Sequence, residues 1–300
     1  MVTTGQTDLT AKPFLKWAGG KRQLLPQIEA HLPAALRDGR ISRYVEPFVG
    51  GGAVFFYLRQ RYGLTDCHLF DRNPELMLVY RVVRDDVAAL IACLQAMEAE
   101  YLSLGEDGRE ACYYQIRQQF NQRRAGPVER AAQLIFLNRT GYNGLFRVNR
   151  QGAFNVPFGR YKKPAICRAG QLRAASRALQ GVHLAHGAFT ACEPVVDERT
   201  FVYFDPPYRP LSSTARFTAY AKEPFGEAQQ LELARFYGRL HQTGARLMLS
   251  NADPRNTDPE DTFFDEAYRG FRIERIQAAR AINSRADRRG PVSELLIMNY

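Results

Sequence analysis

Apolar and polar positions alternate in two different patterns along the chain. Short apolar runs that end at a polar residue, a proline or a glycine are typical of buried strands, whereas apolar residues that recur every three or four positions predict helices. The predicted strands lie at 44–46, 67–71, 182–184, 201–204, 246–251 and 294–299. The predicted helices lie at 23–32, 75–100, 113–120, 129–137 and 227–240, and one more follows the glycines at 50–52 and reaches about position 60.

The long stretch between the second and third predicted strands carries helical patterns and no alternation of period two. It therefore predicts a mainly helical insertion between the two halves of an α/β sheet. The chain has 300 residues, enough for one large domain or two modest ones.

The fourth predicted strand runs directly into Asp205, Pro206, Pro207 and Tyr208. The prolines lack an N–H for a strand ladder, so the strand must end here, at the sheet edge where α/β proteins bind ligands. Asp205 and the Pro206 carbonyl can accept hydrogen bonds from an amine, and the Tyr208 ring can stack on a planar group. The alternative is a strand end followed by an ordinary proline turn.

A glycine-rich turn follows the first predicted strand. Gly50, Gly51 and Gly52 allow the backbone a tight turn and a close approach to a ligand, and Asp71 comes about 20 residues later. A glycine turn followed at this distance by an acid is typical of a nucleoside cofactor, whose ribose hydroxyls the acid binds. The turn lacks the residues of a Walker phosphate loop and the third glycine of the dinucleotide motif.

The segment 14–22 combines apolar, basic and glycine residues. Gly19 and Gly20 would let backbone N–H groups approach a ligand, and Trp17 is the only tryptophan of the chain. Trp17 and Lys21 are candidate ligand contacts; the alternative is a core anchor beside a surface lysine.

The charge of the chain is strongly positive and locally concentrated. The formal net charge is +10, the pI is about 9.5, and Glu129 is the only acid between positions 121 and 170. Basic residues interleaved with aromatic rings favour a nucleic-acid partner, and a solvated basic face is the alternative. The basic residues there are Arg123, Arg124, Arg130, Arg139, Arg147, Arg150, Arg160, Lys162, Lys163 and Arg168, and the rings are Tyr142, Phe146, Phe154, Phe158 and Tyr161.

Other classes of protein find little support. No apolar run is long enough for a membrane span, and the polar first ten residues resemble neither a signal nor a transit peptide, so a cytoplasmic protein is expected. The five cysteines are scattered, which indicates reduced thiols. His183 and His186 lack accompanying ligands, and no metal is expected.

Five segments, in this order, resemble the Dam family of S-adenosylmethionine-dependent DNA adenine-N6 methyltransferases, in the arrangement of its α group. They are FLKWAGGK, VEPFVGGG, LNRTGYNGLFR, FNVPFGRYKKP and DPPYRPLSSTARFTAY. The resemblance implies a doubly wound, mostly parallel sheet with an inserted, mainly helical DNA-recognition domain. The catalytic domain would comprise 1–75 and 170–300, and the recognition domain 76–169.

The resemblance also implies roles for individual residues. Asp205, Pro206 and Tyr208 would hold the target adenine. The implied cofactor contacts are Trp17, Lys21, Gly50, Gly51, Gly52, Asp71 and Asp205. The implied DNA contacts are Lys16, Tyr142, Asn143, Leu145, Arg147, Pro157 and Tyr161, with Tyr142 as a wedge in the duplex, Asn143 facing the base left unpaired, and Arg147 with its neighbours contacting base edges. Phe146 and the loop around Arg285 and Asp287 differ from the commonest family pattern.

The predicted activity is direct methyl transfer from S-adenosylmethionine to N6 of an adenine flipped out of double-stranded DNA, within GATC by resemblance. No obligatory protein partner is expected. One alternative is a methyltransferase for cytosine N4 or a glutamine side chain, which also presents an amine or amide nitrogen. The other is a non-catalytic DNA-binding regulator, although such a protein need not keep Trp17, Lys21, Asp71 and Asp205.

Overall fold

The computed structural model describes residues 10–209, 225–278 and 292–300. Within these ranges the strands are β1 Arg43–Glu46, β2 Asp66–Asp71, β3 His183–His186, β4 Thr200–Phe204, β5 Arg246–Ala252, β6 Arg272–Ala278 and β7 Val292–Met298. The α-helices are α1 Leu25–Ala30, α2 Ala34–Arg37, α3 Ala53–Tyr62, α4 Pro74–Asp85, α5 Val87–Ser103, α6 Glu106–Gln122, α7 Pro127–Thr140, α8 Ala169–Leu179, α9 Glu227–His241 and α10 Phe263–Ala267. None of these helices is long and apolar enough to cross a membrane.

The seven strands form one sheet in the order β3-β2-β1-β4-β5-β7-β6. β1 pairs in parallel with β2 and β4, and β4 pairs in parallel with β5, whereas β7 lies antiparallel between β5 and β6. The doubly wound, mostly parallel sheet and the helical segment between β2 and β3 are thus confirmed. The strand order reverses between β1 and β4, and a ligand crevice forms at such a reversal in open α/β sheets.

The strand β4 is buried along its whole length, as its apolar sequence predicts. Val202 and Phe204 point to one face, and Leu247 and Leu249 on β5 continue that face. Apolar residues of α9 belong to the same core cluster, so this helix covers the sheet there. The strand ends at Phe204. Asp205 follows, and after it come Pro206 and Pro207, which have no N–H with which to extend a strand ladder.

Packing divides the described chain into two compact units. One contains the described residues of Met1–Gly20, Gly50–Gly63 and Asn73–Leu184, and the other consists of the described residues of Lys21–Val49, Leu64–Arg72 and Ala185–Tyr300. We call them the helical unit and the sheet unit. The functional domains at 1–75, 76–169 and 170–300 remain a prediction.

The helical unit is built around α7. Every residue of this helix from Arg130 to Thr140 is buried, because α4, α5 and α6 all pack against it. The guanidinium of Arg130 donates to both carboxylate oxygens of Glu75, at 2.7 and 2.6 Å, and to the Phe120 carbonyl at 2.9 Å. These bonds satisfy a charge that would otherwise be costly to bury.

Several elements differ from the sequence pattern, and the helices α2, α8 and α10 were not predicted. The helix predicted at 75–100 is two helices, because Asp86 leaves the helical conformation (φ −128°, ψ 34°) while apolar spacing continues on both sides of it. The edge strand β6 was not predicted, because charged Arg272, Glu274 and Arg275 obscure its alternation. Charged residues on an edge strand also discourage pairing with another chain.

Candidate active site

Asp205 lies at the carboxyl end of β4, beside the reversal of strand order. Its Oδ1 is 2.7 Å from the ammonium of Lys21 and accepts a hydrogen bond from Ser250 Oγ at 3.2 Å. Ser250 in turn shares a hydrogen bond of 2.9 Å with the Tyr203 hydroxyl. Since both neighbours contact Oδ1, Oδ2 is the oxygen that can accept a hydrogen bond from an incoming amine.

The pKa of Asp205 is raised above the usual range for a carboxyl. Burial is the main cause, because it penalises the charged form; the charge and hydrogen bond of Lys21, and then the Ser250 bond, act in the opposite direction. Lys21 is itself buried, with 4% of its side chain exposed. Lys21 therefore partly offsets the effect of burial on the pKa of the Asp205 carboxyl.

Tyr208 is held at both of its ends. Its hydroxyl donates to Glu294 Oε2 at 2.6 Å, and Lys21 Nζ lies 4.7 Å from the centre of its ring. The backbone before it is fixed by Gln230, whose amide donates to the Pro207 carbonyl at 2.9 Å. Burial raises the pKa of Tyr208, so its hydroxyl keeps its proton at neutral pH.

The sequence did not single out Ser250, Gln230 or Glu294 as site residues. Ser250 is on β5, and Glu294 is on β7, where it pairs with Ala252 of β5. Their approach to residues 205–208 depends on strand register, which a single sequence does not reveal for strands so far apart. The sequence indicated only that Ser250 and Glu294 lie in predicted strands.

Two more acids stand at the same edge of the sheet, because β1, β2 and β4 are parallel. Glu46 ends β1, is 2% exposed and accepts a hydrogen bond from the Tyr44 hydroxyl at 2.8 Å. Asp71 ends β2, and its carbonyl accepts from the Gly187 N–H at 3.1 Å. The predicted position of Asp71 at a strand end is therefore confirmed, and Glu46 is an acid that the prediction left without a role.

The glycine turn in the helical unit tolerates no side chain at two positions. Gly50 (φ +46°) and Gly52 (φ +69°) are left-handed, and a Cβ there would lie 2.9 Å from Trp17 Cδ1 and 2.5 Å from the Tyr80 hydroxyl oxygen, respectively. That hydroxyl donates to the Gly50 carbonyl at 3.0 Å. Trp17 also stacks on Phe146, with ring centres 5.6 Å apart. The turn is therefore compact and fixed by aromatic side chains.

Gly52→Ala should destabilise the protein by about 1–2 kcal/mol, since a left-handed residue with a Cβ is strained and the Tyr80 ring must move. Cofactor affinity should fall with it, because the turn would lose its shape. Gly51→Ala is the matched control: it is not left-handed, and its nearest contact would be 3.3 Å, to Trp17 Cβ. Urea unfolding of the two variants checks this, and equal stabilities would contradict the account.

The helical unit brings together three of the predicted DNA contacts. The side chain of Asn138 bonds the N–H and the carbonyl of Lys16, both at 2.8 Å, and donates to the Gly144 carbonyl at 2.7 Å. The Lys16 ammonium lies 4.7 Å from the centre of the Tyr161 ring, and the Tyr161 hydroxyl accepts from the Asn143 N–H at 3.1 Å. Asn138, which the prediction passed over, thus joins Lys16 to the loop that carries Asn143.

Tyr142 projects from the same loop with 53% of its surface exposed. Its N–H donates to the Pro157 carbonyl at 2.9 Å, which links two of the sequence segments that the resemblance rests on. Asn143 is left-handed (φ +53°), a conformation that asparagine adopts more readily than most residues. An exposed ring on a fixed turn is suited to insertion between bases.

Arg147 is held by Asn155 rather than extended into solvent. Its Nε donates to Asn155 Oδ1 at 2.8 Å and its Nη2 to the Asn155 carbonyl at 3.1 Å. Leu145, two residues earlier, is half-buried, and Pro157 is exposed. Asn155 is therefore a partner of the predicted base-contacting arginine that the sequence did not identify.

The positive charge gathers at a cavity of about 310 Å³ in the helical unit. None of the described residues that line it is acidic. Burial, and then the charge of Arg168, lower the pKa of Arg139 to about 10; burial, and then Arg139 and Arg168, lower the pKa of Lys16. Cations that repel one another in this way favour an anionic partner. The lining residues are Lys16, Arg139, Tyr161, Lys162, Lys163, Pro164, Ala165 and Arg168.

Two predicted loops lie outside the described residues. The Ser, Thr and Ala content of 211–220 predicts a mobile loop over the site, and Arg280, Arg285, Arg288 and Arg289 predict a second basic loop.

Comparison with known proteins agrees with this geometry. The family model of the D12 class N6 adenine-specific DNA methyltransferases matches residues 17–282. The type II methyltransferase M.MjaIII of Methanocaldococcus jannaschii is 49% identical over 295 residues, which cover 97% of this chain and 100% of that protein. The type II methyltransferase M1.LlaDCHI of Lactococcus lactis is 34% identical, with 98% of each chain covered. The DNA adenine methylase of Escherichia coli is 37% identical, with 96% and 95% covered.

Proposed function

Because the chain belongs to the D12 class of N6 adenine-specific DNA methyltransferases, we propose that it methylates adenine within GATC, holding the flipped base at Asp205, Pro206 and Tyr208. The observation that carries the proposal is the fixed Asp205 carboxylate, anchored through Oδ1 at the carboxyl edge of the sheet beside a clamped aromatic ring. As a member of this class, the chain is an S-adenosylmethionine-dependent enzyme that acts on DNA.

The adenine amine is a weak nucleophile, because its lone pair is delocalised into the ring. Hydrogen bonds from its two N–H groups to Asp205 Oδ2 and to the Pro206 carbonyl favour a more tetrahedral nitrogen. Positive charge that develops at N6 is stabilised by the carboxylate in place, without reorganisation of solvent. S-adenosylmethionine would supply the methyl group by loss of its sulfonium S–C bond, and the proton that N6 loses would pass to Asp205 Oδ2 and from there to solvent. No covalent bond to the protein is needed.

Each of the two units contains residues that suit part of a nucleoside bearing an amino acid. A turn that excludes side chains at Gly50 and Gly52 gives backbone access, and Asp71 at the end of β2 suits ribose hydroxyls. Trp17, Gly51 and Lys21 complete the proposed set, together with Asp205. When bound, S-adenosylmethionine supplies an activated methyl group on a sulfonium.

Removing the adenine from the duplex costs a few kcal/mol. Stacking on the Tyr208 ring returns about 1–3 kcal/mol, by the magnitude known for bases on aromatic side chains. The exposed Tyr142 fills the gap left in the duplex, and Asn143 meets the unpaired base. Lys16 and Tyr161 add contacts that position the DNA.

Sequence recognition within GATC is assigned to Arg147, with Leu145 and Pro157 beside it. Its fork can donate two hydrogen bonds to a guanine edge once DNA competes with Asn155. The segment that contains these residues resembles that of family members which commonly recognise GATC, and this resemblance supports the target assignment.

The test compares methylation of a duplex that contains GATC with duplexes substituted at each of its positions. The proposal predicts transfer to adenine N6 of GATC and slow transfer to every substituted duplex. Equal rates on all duplexes would remove the GATC assignment, and methylation at cytosine N4 would replace adenine as the substrate.

Arg147→Ala should reduce discrimination at one base pair of the site by about 1–3 kcal/mol and leave the others unchanged. The same duplex series measures this as ratios of kcat/KM. Arg150→Ala is the matched control, since it removes an exposed positive charge from the same segment. It should weaken binding to all duplexes alike, and the same pattern for Arg147→Ala would exclude Arg147 from sequence recognition.

A further inference from the structure

Glu294 approaches the site from a part of the chain that carries none of the family segments. It lies on β7, 86 positions after Tyr208, and is brought near by the antiparallel pairing of β7 with β5. Its Oε2 accepts the hydrogen bond of the Tyr208 hydroxyl at 2.6 Å, a short distance typical of a bond to a charged acceptor.

Glu294 belongs to a compact set of charges in the sheet unit. Lys21 contacts Asp205 and the face of the Tyr208 ring. The pKa of Glu294 is raised by burial; the charge of Lys21 and the Tyr208 bond lower it, and the charge of Asp205 raises it. One ammonium thus lies among two carboxylates and a phenol.

A tyrosine ring that must stack on a base needs a fixed plane. The backbone of Tyr208 follows Pro206 and Pro207, and the Gln230 bond fixes the Pro207 carbonyl. These contacts act on the main chain, whereas Lys21 Nζ lies against the face of the ring. Glu294 restrains the hydroxyl oxygen of Tyr208, which is the side-chain atom that moves furthest when the ring changes its orientation.

We propose that Glu294 is a positioning residue for methyl transfer, which fixes the Tyr208 ring through its hydroxyl in the plane on which the flipped adenine stacks. The inference rests on the proposed function of Tyr208. It also requires that the hydroxyl of Tyr208 acts through Glu294 and takes no direct part in the reaction.

The test is a double-mutant cycle of Glu294→Ala and Tyr208→Phe. Tyr208→Phe keeps the ring and removes only the hydroxyl. Each single variant should slow single-turnover methylation about tenfold, the size expected for one hydrogen bond to a charged group. Because both remove the same bond, the double variant should be no slower than either single one. Affinity for S-adenosylmethionine should be unchanged in all three.

Two further variants separate positioning from stability. Glu294→Gln keeps an acceptor oxygen in the same place and should restore most of the rate. Ser293→Ala removes the neighbouring hydrogen bond of 2.7 Å to Asp253 and should lower stability without slowing transfer. A duplex with 2-aminopurine at the target position reports stacking of the flipped base, which should weaken in Glu294→Ala and not in Ser293→Ala.

Losses that multiply to about a hundredfold in the double variant would overturn the inference, since Glu294 would then act independently of the Tyr208 hydroxyl. So would a Glu294→Ala enzyme with normal stacking and a normal rate. If Glu294→Ala fails to fold, Tyr208→Phe and Glu294→Gln still decide: a normal rate in Tyr208→Phe contradicts the inference. A wild-type protein that methylates no adenine would overturn the proposed function itself, and this inference with it.

Discussion

Asp205→Ala should lower the rate of methyl transfer by at least about 10²–10³-fold, the loss seen when a group that stabilises developing charge is removed. The adenine amine would lose its carboxylate acceptor, whereas the Pro206 carbonyl and the Tyr208 ring would remain. The protein should stay folded. Lys21 would lose its partner Asp205, but its ammonium would still lie against the Tyr208 ring and interact with the charge of Glu294.

Single-turnover methylation measures this loss, and thermal unfolding confirms that the variant is folded. Ser250→Ala is the matched control: it removes the other hydrogen bond to Oδ1 and leaves the carboxylate in place. Its loss should be about tenfold or less, the scale of one hydrogen bond. Cofactor binding can be followed by the fluorescence of Trp17, the only tryptophan. Near-normal turnover of Asp205→Ala would overturn the proposed mechanism.

Lys21→Met should shift the pH dependence of transfer. In the wild type, burial raises the pKa of Asp205, and Lys21 is the largest influence that lowers it. Without the ammonium the pKa rises further. Transfer requires the ionised carboxylate, so activity is lost as the pH falls through this pKa, and the acid limb of kcat should move to higher pH in the variant.

The stability of the folded protein should depend on pH in the opposite direction from its activity. A carboxyl whose pKa is raised in the folded state favours folding below its ordinary pKa, and that contribution disappears as the pH rises through the raised value. Lys21→Met should therefore be least stable, relative to the wild type, at neutral pH, where a buried carboxylate that has lost its ion-pair partner costs about 3–5 kcal/mol. Lys12→Met, at an exposed position, is the control. An unchanged acid limb would show that Lys21 does not act on Asp205.

Elements that depend on the local pattern of residues could be predicted from the sequence. An apolar run ended by prolines predicted β4 and Asp205 at its end, and the glycine turn and Asp71 were placed by their spacing. These features need only neighbouring residues and the geometry of parallel strands.

Contacts between distant segments were not predictable from one sequence. Lys21 was assigned to the cofactor, and the structure pairs it with Asp205; its cofactor contact stays a prediction. Ser250 and Glu294 reach residues 205–208 through the register of β5 and β7. Asn155 holds Arg147 through the fold of a loop that has no periodicity to reveal it.

Adenine methylation by this protein is tested most directly by incubating the purified protein with S-adenosylmethionine and unmethylated plasmid and mapping modified bases at single-nucleotide resolution. We expect N6-methyladenine confined to GATC. N6-methyladenine at another motif would keep the chemistry at Asp205 and contradict the recognition assigned to Arg147. A plasmid without N6-methyladenine, after incubation with protein shown to bind the cofactor, would contradict methyl transfer to adenine at Asp205.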